Sequence, residues 1–136
     1  MPVVRRAETR RTETPNAVMT TLASPTQGGA GQAVWRVDMR PGQAGPRHAI
    51  DTEQIWTVLD GGAAVELDGQ VLTVGPGDTL ILPADAPRRV NADPTAGFAA
   101  IVAAPAGTRA YLIDASAVPS GRGVPDADKL VPAWVA

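Results

Sequence analysis

Apolar and polar residues alternate along several short stretches of the chain, a pattern typical of β-strands with one buried face. In residues 33–39, Trp35, Val37 and Met39 alternate with charged residues. Similar short runs rich in valine, isoleucine and leucine predict further strands at residues 17–23, 54–60, 64–67, 70–74, 79–82, 97–103 and 109–114. No segment keeps a helical period over ten residues, so we expect helix only as a turn near residues 126–130.

Glycine and proline separate these runs, with 14 glycines and 13 prolines in the chain. The Pro41-Gly42 pair ends the strand at 33–39, and Asp68-Gly69 lies between two alternating runs, which is a strong signal for a β-hairpin. Strands at this even spacing, with no alternation of strands and helices, predict an antiparallel sandwich or barrel.

Two segments place glycine, histidine and other polar residues at a fixed spacing. The first contains, in order, Gly42, His48, Ile50, Gln54 and Gly61. The second contains Gly77, Pro83, Asp85, Arg88 and Ala92. Together they resemble the paired signature motifs of the cupin superfamily, with the spacing kept and most metal-binding residues replaced.

The resemblance covers roughly residues 30–115. It implies an all-β chain that folds as a cupin-type jelly-roll antiparallel β-barrel, also called a double-stranded β-helix. We expect a flexible N-terminal arm at residues 1–16, the barrel at 17–115, and a C-terminal tail at 116–136 that docks on the barrel or on a partner subunit. Asp85 stands where the family has a turn glycine, and aspartate tolerates the left-handed backbone that such a turn needs.

The resemblance places the family's metal ligands at four positions, and this chain keeps the family residue only at His48. Ile50 offers no donor atom, Gln54 lacks an anionic oxygen, and Arg88 puts a permanent positive charge where a cation would sit. We therefore expect no bound metal and no other cofactor.

Side chains two residues apart on a strand share a face, and in cupins the ligand positions point into the barrel. The resemblance therefore predicts an inward-facing set of residues: His48, Ile50, Gln54, Trp56, Val58, Arg88 and Val90. An apolar wall with one imidazole, one amide and one guanidinium suits a small organic molecule with one or two polar groups.

The polar members of this set have alternative roles. Arg88 either holds an anionic ligand group or fills the space of the metal and pairs with a nearby acid or backbone carbonyls. His48 either transfers a proton, since its ordinary pKa suits neutral pH, or serves as a structural partner of Gln54. Gln54 is expected to orient a ligand carbonyl or His48, and Trp56 to stack on a planar ligand or to fill the core.

The composition argues against several classes of cofactor and binding partner. The chain has no cysteine, and its single histidine excludes a two-histidine metal site within one chain. A net charge of −2 argues against nucleic acid, and no apolar run approaches the ~20 residues that span a bilayer. We expect a cytoplasmic protein with no membrane partner, and the resemblance implies a homodimer.

The leading hypothesis is a metal-independent pocket for a small anionic or carbonyl-bearing metabolite, with isomerase, cyclase or lyase chemistry at His48. Two alternatives remain open: a non-catalytic ligand-binding or sensing module, and a metal-dependent cupin oxygenase.

Overall fold

A computed structural model describes residues 3–113 and 124–136. The described residues form eleven strands and two short 3-10 helices, Arg6–Glu8 and Asp126–Asp128. The strands are β1 (Arg10–Glu13), β2 (Val18–Ala23), β3 (Gln32–Met39), β4 (His48–Ile50), β5 (Gln54–Gly61), β6 (Ala63–Leu67), β7 (Gln70–Val74), β8 (Thr79–Leu82), β9 (Arg88–Ala92), β10 (Phe98–Pro105) and β11 (Ala110–Leu112).

These strands form two sheets, one in the order β1-β2-β3-β10-β5-β8 and the other in the order β11-β4-β9-β6-β7. The named strands pair antiparallel. The absence of α-helix from the described residues and the two antiparallel sheets confirm the predicted all-β jelly-roll architecture.

The core lies between the inner faces of the two sheets. Strand β3 follows the predicted period of two, with Trp35, Val37 and Met39 all buried. Val65 and Val90 from the other sheet belong to the same cluster. Burying a large apolar side chain of this kind stabilises the fold by about 1.5–3 kcal/mol, so the alternating face is what holds the two sheets together.

Two tight turns have the backbone that their residues predict. Asp68 and Gly69, between β6 and β7, have φ angles of 47° and 77°, the positive pair that a type I′ hairpin turn requires. Asp85 has a φ of 61°, which confirms that aspartate supports the left-handed turn here.

The N-terminal arm predicted at residues 1–16 contains a strand that the sequence analysis missed. Arg10–Glu13 pairs with β2 as the edge strand β1, so the sheet begins at Arg10 and the predicted boundary at residue 17 is too late for this segment. Its sequence, Arg-Arg-Thr-Glu, contains no apolar residue. Because backbone pairing at a sheet edge does not depend on an apolar face, hydrophobic periodicity gives no sign of such a strand.

The described part of the C-terminal tail packs against the chain's own barrel. Val135 is 1% exposed and belongs to the core cluster, and the Thr21 hydroxyl donates to the Trp134 carbonyl at 2.8 Å. Leu130 exchanges backbone hydrogen bonds of 2.7 and 3.0 Å with Ala110. The last two residues of the predicted barrel, 114–115, and the first part of the predicted tail, 116–123, lie outside the described residues.

Within residues 3–113 and 124–136, no helix combines the length and the apolar character that crossing a membrane would need.

Candidate functional site

A cavity of about 1320 Å³ is bounded by both sheets and by the described part of the tail. Its wall is mainly apolar and aromatic, and includes Met19, Trp35, Met39, Ile50, Trp56 and Tyr111. The cavity is larger than the roughly 300–1,000 Å³ typical of sites for small molecules. The cavity reaches the surface at Leu112 and Leu130, which are both exposed, so this open cleft has room for an organic molecule of several rings.

Five of the seven residues predicted to face a ligand line this cavity: His48, Ile50, Gln54, Trp56 and Val90. Val58 shares the inner face of β5 but is 2% exposed, because other core side chains fill the barrel at its level. Arg88 is 1% exposed and also does not line the cavity. The direct ligand contacts of Val58 and Arg88 therefore stay predictions, and Arg88 lines a separate pocket of about 230 Å³ together with Arg47 and Arg89.

Arg88 is bonded to the protein through all three nitrogens of its guanidinium. Nε donates to the Ala86 carbonyl at 3.0 Å, Nη2 to the Pro83 carbonyl at 2.6 Å, and Nη1 to Gln54 Oε1 at 3.5 Å. Burial lowers the pKa of Arg88 to about 10, so the side chain stays charged at neutral pH. The bonds to the Pro83 and Ala86 carbonyls agree with the pairing expected in the second of the two predicted roles.

Gln54 is 3% exposed and its amide has a defined orientation. Oε1 accepts hydrogen bonds from Trp56 Nε1 at 3.1 Å and from Arg88 Nη1 at 3.5 Å. Indole and guanidinium groups only donate, so the amide oxygen faces them and the NH₂ group faces the other way. Nε2 has no hydrogen-bond partner within the part of the chain that the structure describes, and Gln54 lines the cavity.

His48 lies at the cavity wall with its ring held by the backbone. Nδ1 is 2.8 Å from the Pro46 carbonyl, and because a carbonyl only accepts, Nδ1 carries the proton of the neutral ring. Nε2 is then the unprotonated nitrogen. Burial lowers the pKa of His48, with the Pro46 carbonyl opposing this effect and the charge of Arg88 adding to it. The predicted hydrogen bond to Gln54 is replaced by the bond to Pro46.

A titration of His48 tests this description, and the chain's single histidine means that its ring resonances report one residue. We expect NMR to give a pKa below the ordinary 6.5. The unfolded chain then binds more protons, so the free energy of unfolding should fall as the pH drops from about 6.5 through the folded-state pKa. His48→Gln should lose this component in urea unfolding at matched pH values. A measured pKa at or above 6.5 would contradict a partly buried, neutral ring.

Tyr111 is a wall residue that the sequence analysis did not select. It is 3% exposed, and its hydroxyl donates to Asp85 Oδ1 at 2.7 Å. Burial, followed by this hydrogen bond, raises the pKa of Tyr111, so the phenol stays protonated. Tyr111 lies in β11, outside both motif segments, and its place in the predicted strand at 109–114 is the only sequence signal that pointed to a wall role.

The donor set does not fit the metal that the motifs imply. Ile50 has no atom that could bind a metal. Gln54 Oε1 already accepts hydrogen bonds from two groups, and one of them is the cationic Arg88. Asp51, which follows Ile50 in the chain, accepts hydrogen bonds from the backbone N–H and from Nε of Arg109, at 2.7 and 2.8 Å. Among the described residues, no group of three or more histidine, aspartate or glutamate side chains is placed to hold a metal ion.

Two polar groups from the predicted site residues are therefore available at the cavity wall. An amide N–H group and an unprotonated imidazole nitrogen lie on a largely apolar surface, with a fixed positive charge behind the amide. This combination can bind a carbonyl oxygen and exchange a proton.

Comparison with known proteins identifies the family of this fold. The Cupin domain family matches residues 35–102, which is half of the chain. No curated protein sequence matches.

Three solved structures illustrate the similarity of fold. The polyketide cyclase RemF from Streptomyces resistomycificus is 22% identical, with a TM-score of 0.72 over 88% of this chain and 90% of that chain. A cupin 2 domain-containing protein from Halorhodospira halophila is 19% identical, with a TM-score of 0.69 over 76% of this chain and 74% of that chain. A salicylate 1,2-dioxygenase from Pseudaminobacter salicylatoxidans is 18% identical, with a TM-score of 0.65 over 76% of this chain and 32% of that chain. At these identities the similarity concerns the fold.

Proposed function

Since this chain belongs to the cupin family, we propose that its barrel cavity binds a small, largely apolar organic molecule without a tightly bound metal, and that His48 transfers a proton of that molecule. The observation that carries the proposal is the imidazole of His48, whose Nδ1 is held by Pro46 so that Nε2 is left unprotonated at the wall of a large cavity.

The ligand class follows from the wall. Trp35 and Trp56 offer aromatic surface, and Met19 and Met39 offer flexible apolar contacts that adapt to irregular shapes. Of the anionic and the carbonyl-bearing ligands expected from the sequence, the carbonyl-bearing type fits better, because the guanidinium of Arg88 is already bonded to the protein. A ring-containing ketone is the simplest molecule with these properties.

The proposed reaction begins with removal of a proton from the carbon beside the ligand carbonyl. The C–H bond breaks, its electron pair forms a carbon–carbon double bond, and the carbonyl π electrons move to oxygen to give an enolate. His48 Nε2 takes the proton. Return of the proton from His48 to a different carbon completes an isomerisation. In a cyclisation the enolate carbon instead forms a bond to the carbon of a second carbonyl, the π electrons of that carbonyl move to its oxygen, and the resulting alkoxide takes the proton from His48. The fold similarity to a polyketide cyclase supports including cyclisation in this class.

Exchange of hydrogen for deuterium in 2-tetralone, an enolisable aromatic ketone, tests the proton transfer. In heavy water the wild-type protein is expected to accelerate loss of the α-proton signal over buffer, because a positioned base contributes about 10²–10⁴-fold. His48→Gln should bind 2-tetralone with similar affinity and lose at least roughly 10²-fold of the acceleration. Chelator should leave the rate unchanged if the site needs no metal.

Equal exchange rates in wild type and His48→Gln would remove His48 from the reaction. Binding of 2-tetralone with no exchange in either protein would instead favour the alternative of a non-catalytic binding or sensing module. One observation supports that alternative: Nδ1 of His48 is bonded to a carbonyl and not to a carboxylate, so no fixed anion there stabilises the imidazolium.

Metal independence and homodimer formation are part of the same proposal. Elemental analysis after exposure to iron, zinc, manganese, nickel and copper should give metal far below one ion per chain. Light scattering should give twice the mass of the 14.0 kDa chain. Stoichiometric metal would restore the oxygenase alternative.

A further inference from the structure

Building on the proposed binding function, we infer that residue 54 selects ligands by the polarity of their hydrogen-bonding group. Trp56 and Arg88 hold the Gln54 amide so that its N–H face meets the cavity, and at residue 54 the wall therefore takes a ligand group that is an acceptor, such as a ketone oxygen, in preference to one that is a donor.

The orientation of the amide follows from its neighbours. Rotating it by half a turn would place the NH₂ group against the Trp56 and Arg88 donors, which lie 3.1 and 3.5 Å from Oε1. Both hydrogen bonds would be lost and N–H groups would point at one another in a buried place. Because leaving buried donors unpaired is costly, one orientation of the amide dominates.

The two groups that hold Gln54 are themselves fixed. The Trp56 ring stacks on Phe98, with ring centroids 6.1 Å apart and 20° between the planes. Arg88 is tied to the Pro83 and Ala86 carbonyls. A polar group supported by rigid neighbours keeps its direction when a ligand arrives.

The amide nitrogen is the part of Gln54 that remains for a ligand. The side chain is almost fully buried, yet Nε2 has no partner among residues 3–113 and 124–136. Among the described residues the fully buried side-chain nitrogen without a partner is Arg10 Nε, so Gln54 Nε2 is reachable from the cavity, and an acceptor there would complete its hydrogen bonding. A ligand that placed a donor there would bring its own N–H group against the N–H group of Gln54.

Three planar tricyclic molecules of similar size test this selection. Fluorenone presents only an acceptor, carbazole presents an N–H donor, and fluorene presents neither. Affinities would be measured by calorimetry at pH 8 with a chelator present. The ratio of fluorenone to carbazole affinity is the readout.

The variant that tests the inference is Gln54→Glu, which keeps the shape of residue 54 and both acceptor contacts to Trp56 and Arg88. A carboxylate has no N–H to offer, and the adjacent Arg88 keeps it ionised. We expect the ratio to fall by about tenfold or more, with carbazole now preferred, because one hydrogen bond is lost for the ketone and one gained for the donor. His48 is present in both proteins, so its contribution to the ratio cancels.

Gln54→Leu gives a second reading if Gln54→Glu does not fold. Fluorenone should then lose its advantage over fluorene, whereas in the wild type the NMR signals of the Gln54 NH₂ group should shift with fluorenone and not with fluorene. An unchanged ratio in Gln54→Glu, with all three molecules bound, would overturn the selection by residue 54 and leave the binding function standing. Failure of the wild type to bind any of the three would overturn the binding function and this inference with it.

Discussion

Gly61→Ala is expected to lower the free energy of unfolding by roughly 3–5 kcal/mol, and Gly42→Ala by only about 1–2 kcal/mol. Both glycines belong to the first signature segment and both have positive φ angles, 67° and 75°. Alanine at either position therefore meets the same backbone strain, and the difference between the two variants comes from packing.

The packing difference is large. A Cβ atom at Gly61 would overlap the carbonyl oxygen of Gly97 and lie 2.7 Å from its carbonyl carbon, whereas a Cβ at Gly42 has no atom within 4 Å. The atoms in the way belong to the backbone of Gly97, and this backbone cannot move without breaking the pairing of β5 with β10. Gly77, with a φ of 87° and no atom within 4 Å, should behave like Gly42.

Urea unfolding of the three alanine variants measures this ranking, and circular dichroism confirms that each variant folds. Similar losses at all three positions would mean that the approach of Gly61 to Gly97 is not the constraint that the structure describes.

Val135→Asp is expected to destabilise the protein by roughly 3–5 kcal/mol, because it places an unpaired charge in the core or frees the tail from the barrel. Val135 is 1% exposed, and its neighbour Trp134 accepts the hydrogen bond from Thr21. Val131→Asp, at a position of the same tail that is 43% exposed, is the matched control and should change stability by less than about 0.5 kcal/mol.

Urea unfolding compares the two aspartate variants, and hydrogen exchange reports whether the amides of the tail become exposed. Because the tail forms part of the cavity wall, Val135→Asp should also weaken binding of fluorenone. Equal stability of the two variants would show that the tail does not depend on its contact with the barrel.

Most of the strand pattern follows from local features of the sequence. The alternating face of β3, the Asp68-Gly69 hairpin and the turn at Asp85 are local features, and the physics that decides them acts over a few residues. The resemblance of the motif segments also predicted that His48 and Gln54 both face into the barrel, and both line the cavity although their strands, β4 and β5, belong to different sheets.

Tertiary structure decided what local patterns do not contain. The polar strand β1 is held by pairing and not by apolar periodicity, and the tail was found on the barrel only through its contacts. Tyr111 joined the cavity wall because β11 pairs with β4, a contact between segments about 60 residues apart in the chain.

The roles of the polar residues were decided in the same way. Arg88 had two open roles until its bonds to Pro83 and Ala86 were known, and the partner of His48 was Pro46, not Gln54. A side chain's residue type states which hydrogen bonds it can make, but the atoms around it decide which are made. The fold and five residues of the cavity wall therefore follow from the sequence, whereas the face of the Gln54 amide and the nitrogen of His48 that meet the cavity depend on the three-dimensional contacts of these side chains.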